Sequence, residues 1–419
     1  MEISILTIGT RGDVQPFIAL GLGLIQAGYK IKIVTHSIFE SWIRSYGFDF
    51  AVVEGNPQGF IESEEGKKIL ESGSNPIEFV RLFGQTISPF VDRLMSDIWQ
   101  ACQSTDAIIA HSALFWTYDL AQKLDIPFFL ACYTPQTPTT KYPVAMGSGI
   151  SANGLLNYLS YPLSSLILWQ IFRKPVNRWL QSNLSLPSRS FWQSPVFSMR
   201  KQQVSFLYAY SEYILPKPRN WDESDYVTGY WFLDSVLDWT PPKDLTDFLN
   251  TGSPPVYIGF GSMSNREPEK IAKIALDALE KTNQRGIIST GWGGINDVNL
   301  PSNVFQIDSV PHKWLFPQCT AVVHHGGAGT TAAGLKAGVP TVIVPFFSDQ
   351  PFWGQRIADL GVGTKPIEQK ELTLDKLSAA INTVVYDRQI RDRATRIGEK
   401  IRLENGVARA VKIIDTCLS

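Results

Sequence analysis

The sequence contains few cysteines, and they show none of the spacings that cysteine-based sites require. Its four cysteines lie far apart and include no CxxC pair: Cys102, Cys132, Cys319 and Cys417. Neither a zinc site nor a disulfide framework is therefore predicted, and no metal is expected. No uninterrupted apolar run approaches about 18 residues, so no membrane span is predicted. Because Met1–Ile5 starts directly as a strand, without the segments of a signal peptide, we expect a cytoplasmic protein.

The sequence also lacks an excess of charge of either sign. Lysine plus arginine number 38 and aspartate plus glutamate 39, so the formal net charge is −1. Nucleic acid is therefore not expected as the main partner. A length of 419 residues with 44% hydrophobic and 18% charged residues favours a folded protein of two domains. Aromatic residues make up 12%, which fits either an apolar ligand cleft or two well-packed cores.

Short apolar runs alternate with helix-length stretches along both halves of the chain. Runs such as AIIA and PFFLACY are typical of strands buried on both faces of a parallel sheet. The Pro- and Asp-rich stretch 239–252 interrupts the alternation, as a linker would. We therefore predict an α/β fold with doubly wound domains at 1–238 and 253–386, and with C-terminal helices at 387–419 that cross back to the first domain. A deep cleft is expected between the domains.

The segment Gly154–Ser182 stands apart from this alternation because it is aromatic and aliphatic, with basic residues only near its end. Pro162 and Pro175 predict that it forms two or three short helices. Packing against the first domain is one interpretation. The alternative is an acceptor lid or a surface that contacts a membrane peripherally.

The first loop, Gly9 to Phe17, follows the first predicted strand and precedes a helix. Gly9 and Gly12 permit a tight turn, but the loop is not a GxGxxG dinucleotide fingerprint. By residue type alone, Asp13 would be an N-cap of the helix. Its position at the carboxyl end of the first strand instead favours a side chain that faces a ligand crevice.

A longer motif runs from Ala321 to Gly363 and includes the run HHGGAGTT. A buried strand is predicted to end at His324-His325, and the small residues after it open a helix whose N–H groups form a ready anion site. His325, Thr330 and Thr331 would add side-chain donors. No GKS or GKT follows, so a diphosphate without an obligatory metal fits better than a triphosphate with Mg²⁺. The alternative is a glycine-rich turn with structural histidines.

Further polar groups follow other strands of the second half. Asp349 and Gln350 stand at a predicted helix start, where they supply acceptors and donors for a hydroxylated ligand such as a hexose, or simply cap the helix. Ser262 follows the first strand of the second domain and is a candidate phosphate donor. Val310 and His312 lie in a loop ahead of the His325 strand.

The motifs RGDVQP, PHKWLFPQC and HHGGAGTTAAGLKAGVPTVIVPFFSDQPFWG resemble those of UDP-glucose:sterol glucosyltransferases and of related bacterial antibiotic-aglycone glycosyltransferases. The resemblance implies a GT-B fold, with an acceptor in the N-terminal half and a nucleotide-sugar donor in the C-terminal half. It implies that Asp13 is the general base and that Asp349 and Gln350 contact the sugar hydroxyls. The remaining residues of the predicted donor-binding set are Thr10, Arg11, Gly12, Ser262, Val310, His312, His325, Gly326, Gly327, Gly329 and Thr330.

The implied function is inverting transfer of a hexose, glucose from UDP-glucose, to the hydroxyl of a lipophilic acceptor such as a sterol, by a monomeric enzyme that needs no cofactor beyond its donor. Segment 140–200 carries no acceptor signature, so a natural-product or phenolic aglycone, with a UDP- or dTDP-sugar, stays open. Two other classes also stay open. One is a nucleotide-sugar epimerase, and the other is a non-catalytic nucleotide-sugar or lipid-binding protein.

Plant small-molecule glycosyltransferases resemble the chain at the first loop but carry His at the position of Asp13, and an Asp after the fourth strand orients that His. Here His111 follows the predicted fourth strand. The resemblance therefore predicts a swapped pair, in which a neutral His111 lies within hydrogen-bond reach of Asp13 and orients it. The alternative is a polar residue at a strand end that faces water.

Overall fold

A parallel β-sheet forms the centre of each of two compact units in the computed structural model, which describes residues 1–71, 76–145, 154–234, 239–260, 268–289 and 300–419. Unit 1 comprises 1–144, 151–233 and 405–419, and unit 2 comprises 145–150 and 234–404. The predicted α/β fold with two parallel sheets is confirmed. Ser262 lies outside the described residues.

The sheet of unit 1 has seven strands in the order β3-β2-β1-β4-β5-β6-β7, and every pairing is parallel. The central strands β4 and β5 are buried along their whole length, as their apolar sequences predict. The strand bounds are β1 Glu2–Leu6, β2 Lys30–His36, β3 Asp49–Val53, β4 Ala107–His111, β5 Phe128–Cys132, β6 Ser205–Tyr208 and β7 Asp225–Val227.

Helices cover both faces of this sheet because parallel neighbours need crossover connections. The helices of unit 1 are α1 Arg11–Gln26, α2 Glu40–Ser45, α3 Pro57–Glu62, α4 Glu64–Glu71, α5 Pro76–Ala101, α6 Tyr118–Leu124, α7 Gly154–Leu184 and α8 Pro195–Lys201, together with the last helix of the chain, α16 Gly406–Leu418. Helix α1 packs on the sheet through Val14, Phe17 and Ile18, which are fully buried.

The sheet of unit 2 has five parallel strands in the order β10-β9-β8-β11-β12. Its strands are β8 Val256–Gly259, β9 Gly286–Ser289, β10 Val304–Ile307, β11 Ala321–His324 and β12 Thr341–Ile343. Its helices are α9 Lys243–Asn250, α10 Pro268–Lys281, α11 His312–Leu315, α12 Ala328–Ala337, α13 Gln350–Leu360, α14 Leu374–Tyr386 and α15 Arg388–Arg402. Helices α14 and α15 therefore belong to unit 2, whereas α16 belongs to unit 1.

Helix α9 lies inside the stretch predicted as a linker. Its Leu245 is fully buried in the core of unit 2, and Phe248 packs on Phe305 with the ring centroids 5.3 Å apart. Leucine and phenylalanine three residues apart form one apolar helix face, which outweighs the linker-like composition around it.

Helix α7 corrects the prediction that Pro162 and Pro175 break the segment into short helices. It is a single helix of 31 residues with both prolines inside. Tertiary contacts hold it across the lost backbone hydrogen bonds: the indole of Trp169 donates to the carbonyl of Ser190, and that of Trp179 donates to Ser96 on α5. Such packing offsets the cost of an interior proline, about 3 kcal/mol. No helix among the described residues is long and apolar enough to span a membrane.

We predict that Gly406→Ala destabilises unit 1. A Cβ atom at Gly406 would overlap the carbonyl oxygen of Tyr230 and lie 2.6 Å from the carbonyl carbon of Gly229, so α16 would have to move. Overpacking of this kind costs about 1–3 kcal/mol in the free energy of unfolding, measured by urea denaturation.

The matched control for this substitution is Gly84→Ala in α5. A Cβ atom there would lie 3.8 Å from Ile171, which is an ordinary contact. Alanine in a helix should leave stability unchanged or raise it by about 0.5–1 kcal/mol. Equal unfolding midpoints for the two variants would contradict the close approach of α16 to the backbone after β7.

Candidate active site

The carboxylate of Asp13 lies in the first turn of α1 and is held by the residue that caps the helix. Oδ2 accepts hydrogen bonds from the backbone N–H of Thr10 at 2.7 Å and from its hydroxyl at 3.0 Å. Among the described residues, Oδ1 accepts no hydrogen bond. Asp13 therefore takes part in capping, as its residue type predicts, and still presents one oxygen of a fixed, half-buried carboxylate.

Gly9 leaves the space that this carboxylate occupies. Its φ is +123°, in the region that favours glycine, and a Cβ atom there would collide with Oδ2 of Asp13. The glycine predicted to form a tight turn thus has a second role, because it determines where the carboxylate lies.

The backbone of Asp13 is anchored as firmly as its side chain. The carbonyl of Asp13 accepts hydrogen bonds from the hydroxyl of Thr7 at 3.0 Å and from that of Tyr133 at 2.9 Å. Thr7 follows β1 and Tyr133 follows β5, so two strand ends hold the first turn of α1. Ligand crevices lie outside the carboxyl ends of strands in sheets of this kind.

His111, the last residue of β4, is buried beside this turn. Its ring centroid lies 5.0 Å from that of Tyr133 and 6.0 Å from that of Phe17. Nδ1 is buried and has no hydrogen-bond partner. Burial lowers the pKa of His111, and the negative charge of Asp13 opposes that shift only in part, so the imidazole is neutral at pH 7.

The predicted pairing of His111 with Asp13 is not a direct hydrogen bond. The two side chains are close enough for their charges to interact, but no hydrogen bond between the described atoms joins them. The contact runs instead through Tyr133, which packs on His111 and donates to Asp13. Sequence reasoning missed Tyr133, although its place directly after the strand beside β4 could have indicated it.

Thr10, Arg11 and Gly12 have different surroundings in unit 1. Both donors of Thr10 are used by Asp13. The guanidinium of Arg11 lies over the indole of Trp42, 4.6 Å from the ring centroid. Gly12 is exposed at the helix start. None of these contacts shows that Thr10, Arg11 or Gly12 binds a nucleotide sugar. Their role in donor binding stays a prediction.

In unit 2, β11 ends at His324 and the glycine-rich loop begins. Nδ1 of His324 accepts a hydrogen bond from the backbone N–H of Gly326 at 2.9 Å, so the ring closes the turn. Burial lowers the pKa of His324 well below its usual value, which keeps it neutral. His324 is therefore a structural residue, as one interpretation of the motif expected. Gly326 has a φ of +96° and permits the turn.

His325 points from this turn towards the start of α12. A Cβ atom at Gly327, the N-cap of α12, would lie 2.6 Å from Nε2 of His325, so only glycine lets the imidazole lie there. Nδ1 of His325 is buried without a hydrogen-bond partner. Burial, followed by the nearby His312, lowers the pKa of His325 to about 4.

The start of α12 is suited to an anion. Its first N–H groups have no partner inside the helix, and the helix dipole adds partial positive charge there. A Cβ atom at Gly329 would meet nothing within 4 Å, and Thr330 is half-buried beside it. The neutral imidazole and the N–H groups together favour a diphosphate by hydrogen bonding and dipole rather than by a full positive charge.

Asp349 and Gln350 follow β12 and begin α13, as predicted. The side-chain oxygen of Gln350 accepts from the backbone N–H groups of Phe346 and Phe347, at 2.7 and 3.2 Å. Oδ2 of Asp349 accepts from the indole of Trp353 at 2.9 Å. Each side chain therefore braces the start of α13 and the loop before it.

The loop ahead of β11 is packed against the core of unit 2. The ring of His312 stacks on Phe316 with centroids 4.3 Å apart, and the side chain of Val310 joins the same cluster. Among the described residues, no group of three or more His, Cys, Asp or Glu side chains is placed to hold a metal ion.

Two families match separate parts of the chain, each about a third of its length. Residues 3–143 match the glycosyltransferase family 28 N-terminal domain, and residues 275–411 match the C-terminal domain of the family described as erythromycin biosynthesis protein CIII-like. The first match covers β1, α1, β4 and β5 of unit 1, and the second covers β11, α12 and α13 of unit 2, so each contains one of the two groups of candidate residues.

Curated relatives align along the whole chain. A sterol 3-beta-glucosyltransferase of Emericella nidulans is 39% identical over 99% of this chain and 30% of its own length. One of Aspergillus clavatus is 39% identical over 99% of this chain and 29% of its length. The chain thus spans less than a third of the length of these relatives.

Solved structures share the fold. The glycotransferase of kitacinnamycin superposes with a TM-score of 0.75 at 17% identity, over 100% of this chain and 99% of that one. The glycosyltransferase VinC, solved in complex with dTDP, superposes with a TM-score of 0.68 at 15% identity, over 100% of this chain and 99% of that one. At these identities the likeness establishes the architecture alone.

We predict that His325→Gln weakens the binding of UDP by about tenfold or more, because a hydrogen bond to a charged group contributes about 1.5–3 kcal/mol. A diphosphate beside His325 should also raise the pKa of the imidazole from about 4, so binding should take up protons as the pH falls towards that value. Isothermal titration calorimetry in buffers of different ionisation enthalpy measures both quantities.

Asp13→Asn, in unit 1, is the control for this titration and should bind UDP with unchanged affinity. His325→Gln should take up fewer protons on binding than the wild-type chain. UDP is present in both titrations, so its own protonation cancels when the two uptakes are subtracted. An unchanged affinity in the His325 variant would refute the assignment of the anion site.

Proposed function

We propose that this chain, which has the GT-B fold, transfers glucose from UDP-glucose, with inversion, to the hydroxyl of a lipophilic acceptor, a sterol or a similar lipid. The proposal depends on one observation above all, the carboxylate of Asp13 with one oxygen anchored and the other free of hydrogen bonds from the described residues. The similarity to sterol 3-beta-glucosyltransferases over 99% of the chain supports the choice of substrates.

In the proposed reaction, Oδ1 of Asp13 removes the proton from the acceptor hydroxyl while that oxygen attacks the anomeric carbon. The bond between this carbon and the phosphate oxygen breaks on the opposite face, and UDP leaves with the electron pair. General-base catalysis of this kind contributes about 10²–10⁴-fold. Because Oδ2 is already hydrogen-bonded to Thr10, the carboxylate does not need to reorient before it accepts the proton.

The neutral state of His111 supports this role of Asp13. A protonated imidazole nearby would favour the ionised carboxylate and make it a weaker base. Burial lowers the pKa of His111, so the imidazole carries no positive charge at pH 7. Tyr133 keeps the backbone of Asp13 in place through its hydrogen bond to the carbonyl.

Stabilisation of the leaving group is proposed for unit 2. The N–H groups at the start of α12 and the imidazole of His325 would bind the diphosphate as its negative charge develops. Asp349 and Gln350, at the start of α13, are proposed to contact the sugar hydroxyls. Backbone groups near Val310 are proposed to contact the base. Whether the base is uracil or thymine is decided by assay.

We predict that Asp13→Asn lowers the rate of transfer by about 10²–10⁴-fold, because the isosteric amide keeps the shape but cannot accept the proton. Gly9→Ala should also lower the rate, since its Cβ atom would displace the carboxylate. The measurement is kcat with UDP-glucose and a sterol, together with the affinity for UDP.

Asp415→Asn is the matched control for a lost carboxylate in the same unit, because the side chain of Asp415 is exposed and its carboxylate accepts a hydrogen bond from Tyr29 at 2.7 Å. It should transfer at the wild-type rate. If Asp13→Asn also retained the wild-type rate, Asp13 would be a helix cap and nothing more.

We predict that incubation with UDP-glucose and a panel of sterols, phenols and lipid alcohols yields a glucosylated sterol, detected by mass spectrometry with a mass gain of one hexose. A parallel incubation with dTDP-glucose tests the nucleotide. If only phenols were glucosylated, the acceptor would be a phenol and not a sterol. A new sugar nucleotide formed without any acceptor would indicate an epimerase. Binding of UDP without any turnover would indicate a non-catalytic protein.

A further inference from the structure

Large apolar side chains are exposed in one part of unit 1. Among the residues that the structure describes, exposed large apolar or aromatic side chains cluster between positions 155 and 192, on α7 and on the loop after it. They are Leu155, Leu156, Tyr158, Leu159, Leu163, Phe191 and Trp192. Exposed apolar patches of this kind mark sites of interaction rather than ordinary surface.

Four leucines form a continuous stripe along the first turns of α7, here called the α7 stripe: Leu155, Leu156, Leu159 and Leu163. Residues four apart lie on the same face of a helix, so Leu155, Leu159 and Leu163 follow one line. Leu155 is 67% exposed and Leu163 is 59% exposed, and these side chains therefore do not belong to the core. The opposite face buries Asn157 and Tyr161, which accounts for the packing role of the same helix.

The aromatic pair Phe191 and Trp192 extends the α7 stripe. Gln170, seven residues after Leu163, lies on the same helix face, and its side-chain amide donates to the carbonyl of Phe191 at 3.2 Å. The indole of Trp169 donates to the neighbouring carbonyl of Ser190 at 3.0 Å. Trp192 is 70% exposed. The surface from Leu155 to Gln170 is about 22 Å long at the rise of an α-helix.

The distribution of charge matches the layers of a membrane interface. No charged residue occurs between Lys141 and Arg173 in the sequence, so the α7 stripe carries no charge along its length. Cations follow directly beyond the aromatic pair: Arg173 donates to Gln170 at 2.9 Å, and Lys174 is exposed. This order follows the layers of a bilayer surface: apolar side chains contact the acyl chains, tryptophan lies at the interface, and lysine and arginine contact anionic headgroups.

From this arrangement we infer that the α7 stripe, with Phe191 and Trp192, docks unit 1 on the surface of a lipid bilayer. The choice of a bilayer rests on the proposed function, because a sterol-like acceptor dissolves in lipid and not in water. Helix α7 would dock at a tilt, with the leucines of its first turns among the acyl chains and Lys174 at the headgroups.

The test is cosedimentation with vesicles of phosphatidylcholine, alone and mixed with phosphatidylglycerol, in the absence of any sterol or sugar nucleotide. The wild-type chain should bind both, and the anionic vesicles more tightly. Leu159→Glu/Leu163→Glu and, separately, Trp192→Ala should reduce the partition coefficient, the first by about tenfold or more because it places charge in the apolar layer. Lys174→Ala should reduce only the gain from the anionic lipid.

Leu403→Glu is the matched control, since Leu403 is 88% exposed but lies in unit 2. It should sediment with the vesicles like the wild-type chain. Because all of these side chains are exposed, thermal unfolding should be the same in every variant. Wild-type protein that stays in the supernatant with both kinds of vesicle would overturn the inference. So would a concentration-dependent dimer that the double variant dissociates, since a second copy would then cover the stripe.

A second readout separates this inference from the proposed transfer. The double variant should glucosylate a water-soluble acceptor at the wild-type rate but require a higher concentration of an acceptor embedded in vesicles. If no acceptor were glucosylated and vesicle binding still depended on the α7 stripe, the docking surface would stand and the proposed activity would fall. If transfer proceeded equally well in both settings, the stripe would have no part in reaching the acceptor.

Discussion

The pair of hydrogen bonds from Thr10 to one oxygen of Asp13 is the constraint on which the first half of the site depends. A helix start needs a partner for its unpaired N–H groups, and the cap residue together with an acid three positions later meets that need. In this chain the acid that completes the cap is also the charged group at the carboxyl edge of the sheet. The two interpretations of Asp13 are therefore not exclusive, because capping by Oδ2 is what fixes the direction of Oδ1. The same geometry explains Gly9, whose missing side chain is the space that the carboxylate fills.

Unit 2 provides positive potential for an anion without a permanently charged side chain. Burial lowers the pKa of His325 to about 4, so the imidazole is neutral near pH 7 and acts there as a hydrogen-bonding group. The positive potential comes from the start of α12, where the dipole and the unpaired N–H groups converge. The diphosphate of the proposed donor would therefore be bound by hydrogen bonds and a helix dipole rather than by a fixed cation. In both units the candidate residues lie where a strand ends and a helix begins. The helix start carries an acid, Asp13, in unit 1, and it presents unpaired N–H groups in unit 2.

The parts of the fold that follow from local pattern were predictable, and the parts that follow from tertiary contacts were not. Buried parallel strands such as β4 and β5 show as unbroken apolar runs, and the glycine-rich loop after β11 shows as small residues at a helix start. The continuity of α7 through two prolines depends on Trp169 and Trp179 packing elsewhere, which no local rule contains. The side-chain oxygen of Gln350 accepts two hydrogen bonds from the backbone of its own loop, a tertiary detail that residue type alone did not indicate. Tyr133 was missed because its role depends on distant residues, Asp13 and His111, that only the sheet order brings together.

Composition alone could not separate the two faces of α7. Helix α7 packs one side on α5 and exposes apolar side chains on the other, so it is apolar nearly all round. A sequence pattern of this kind fits either a buried helix or a membrane helix. The structure separates the faces, since Trp169 is fully buried while Leu163, six residues earlier, is largely exposed. An exposed leucine stripe has a cost in water that folding does not recover, because the side chains stay hydrated in the isolated chain. A bilayer that covers the stripe would offset that cost, at the surface in which the proposed lipophilic acceptor is dissolved.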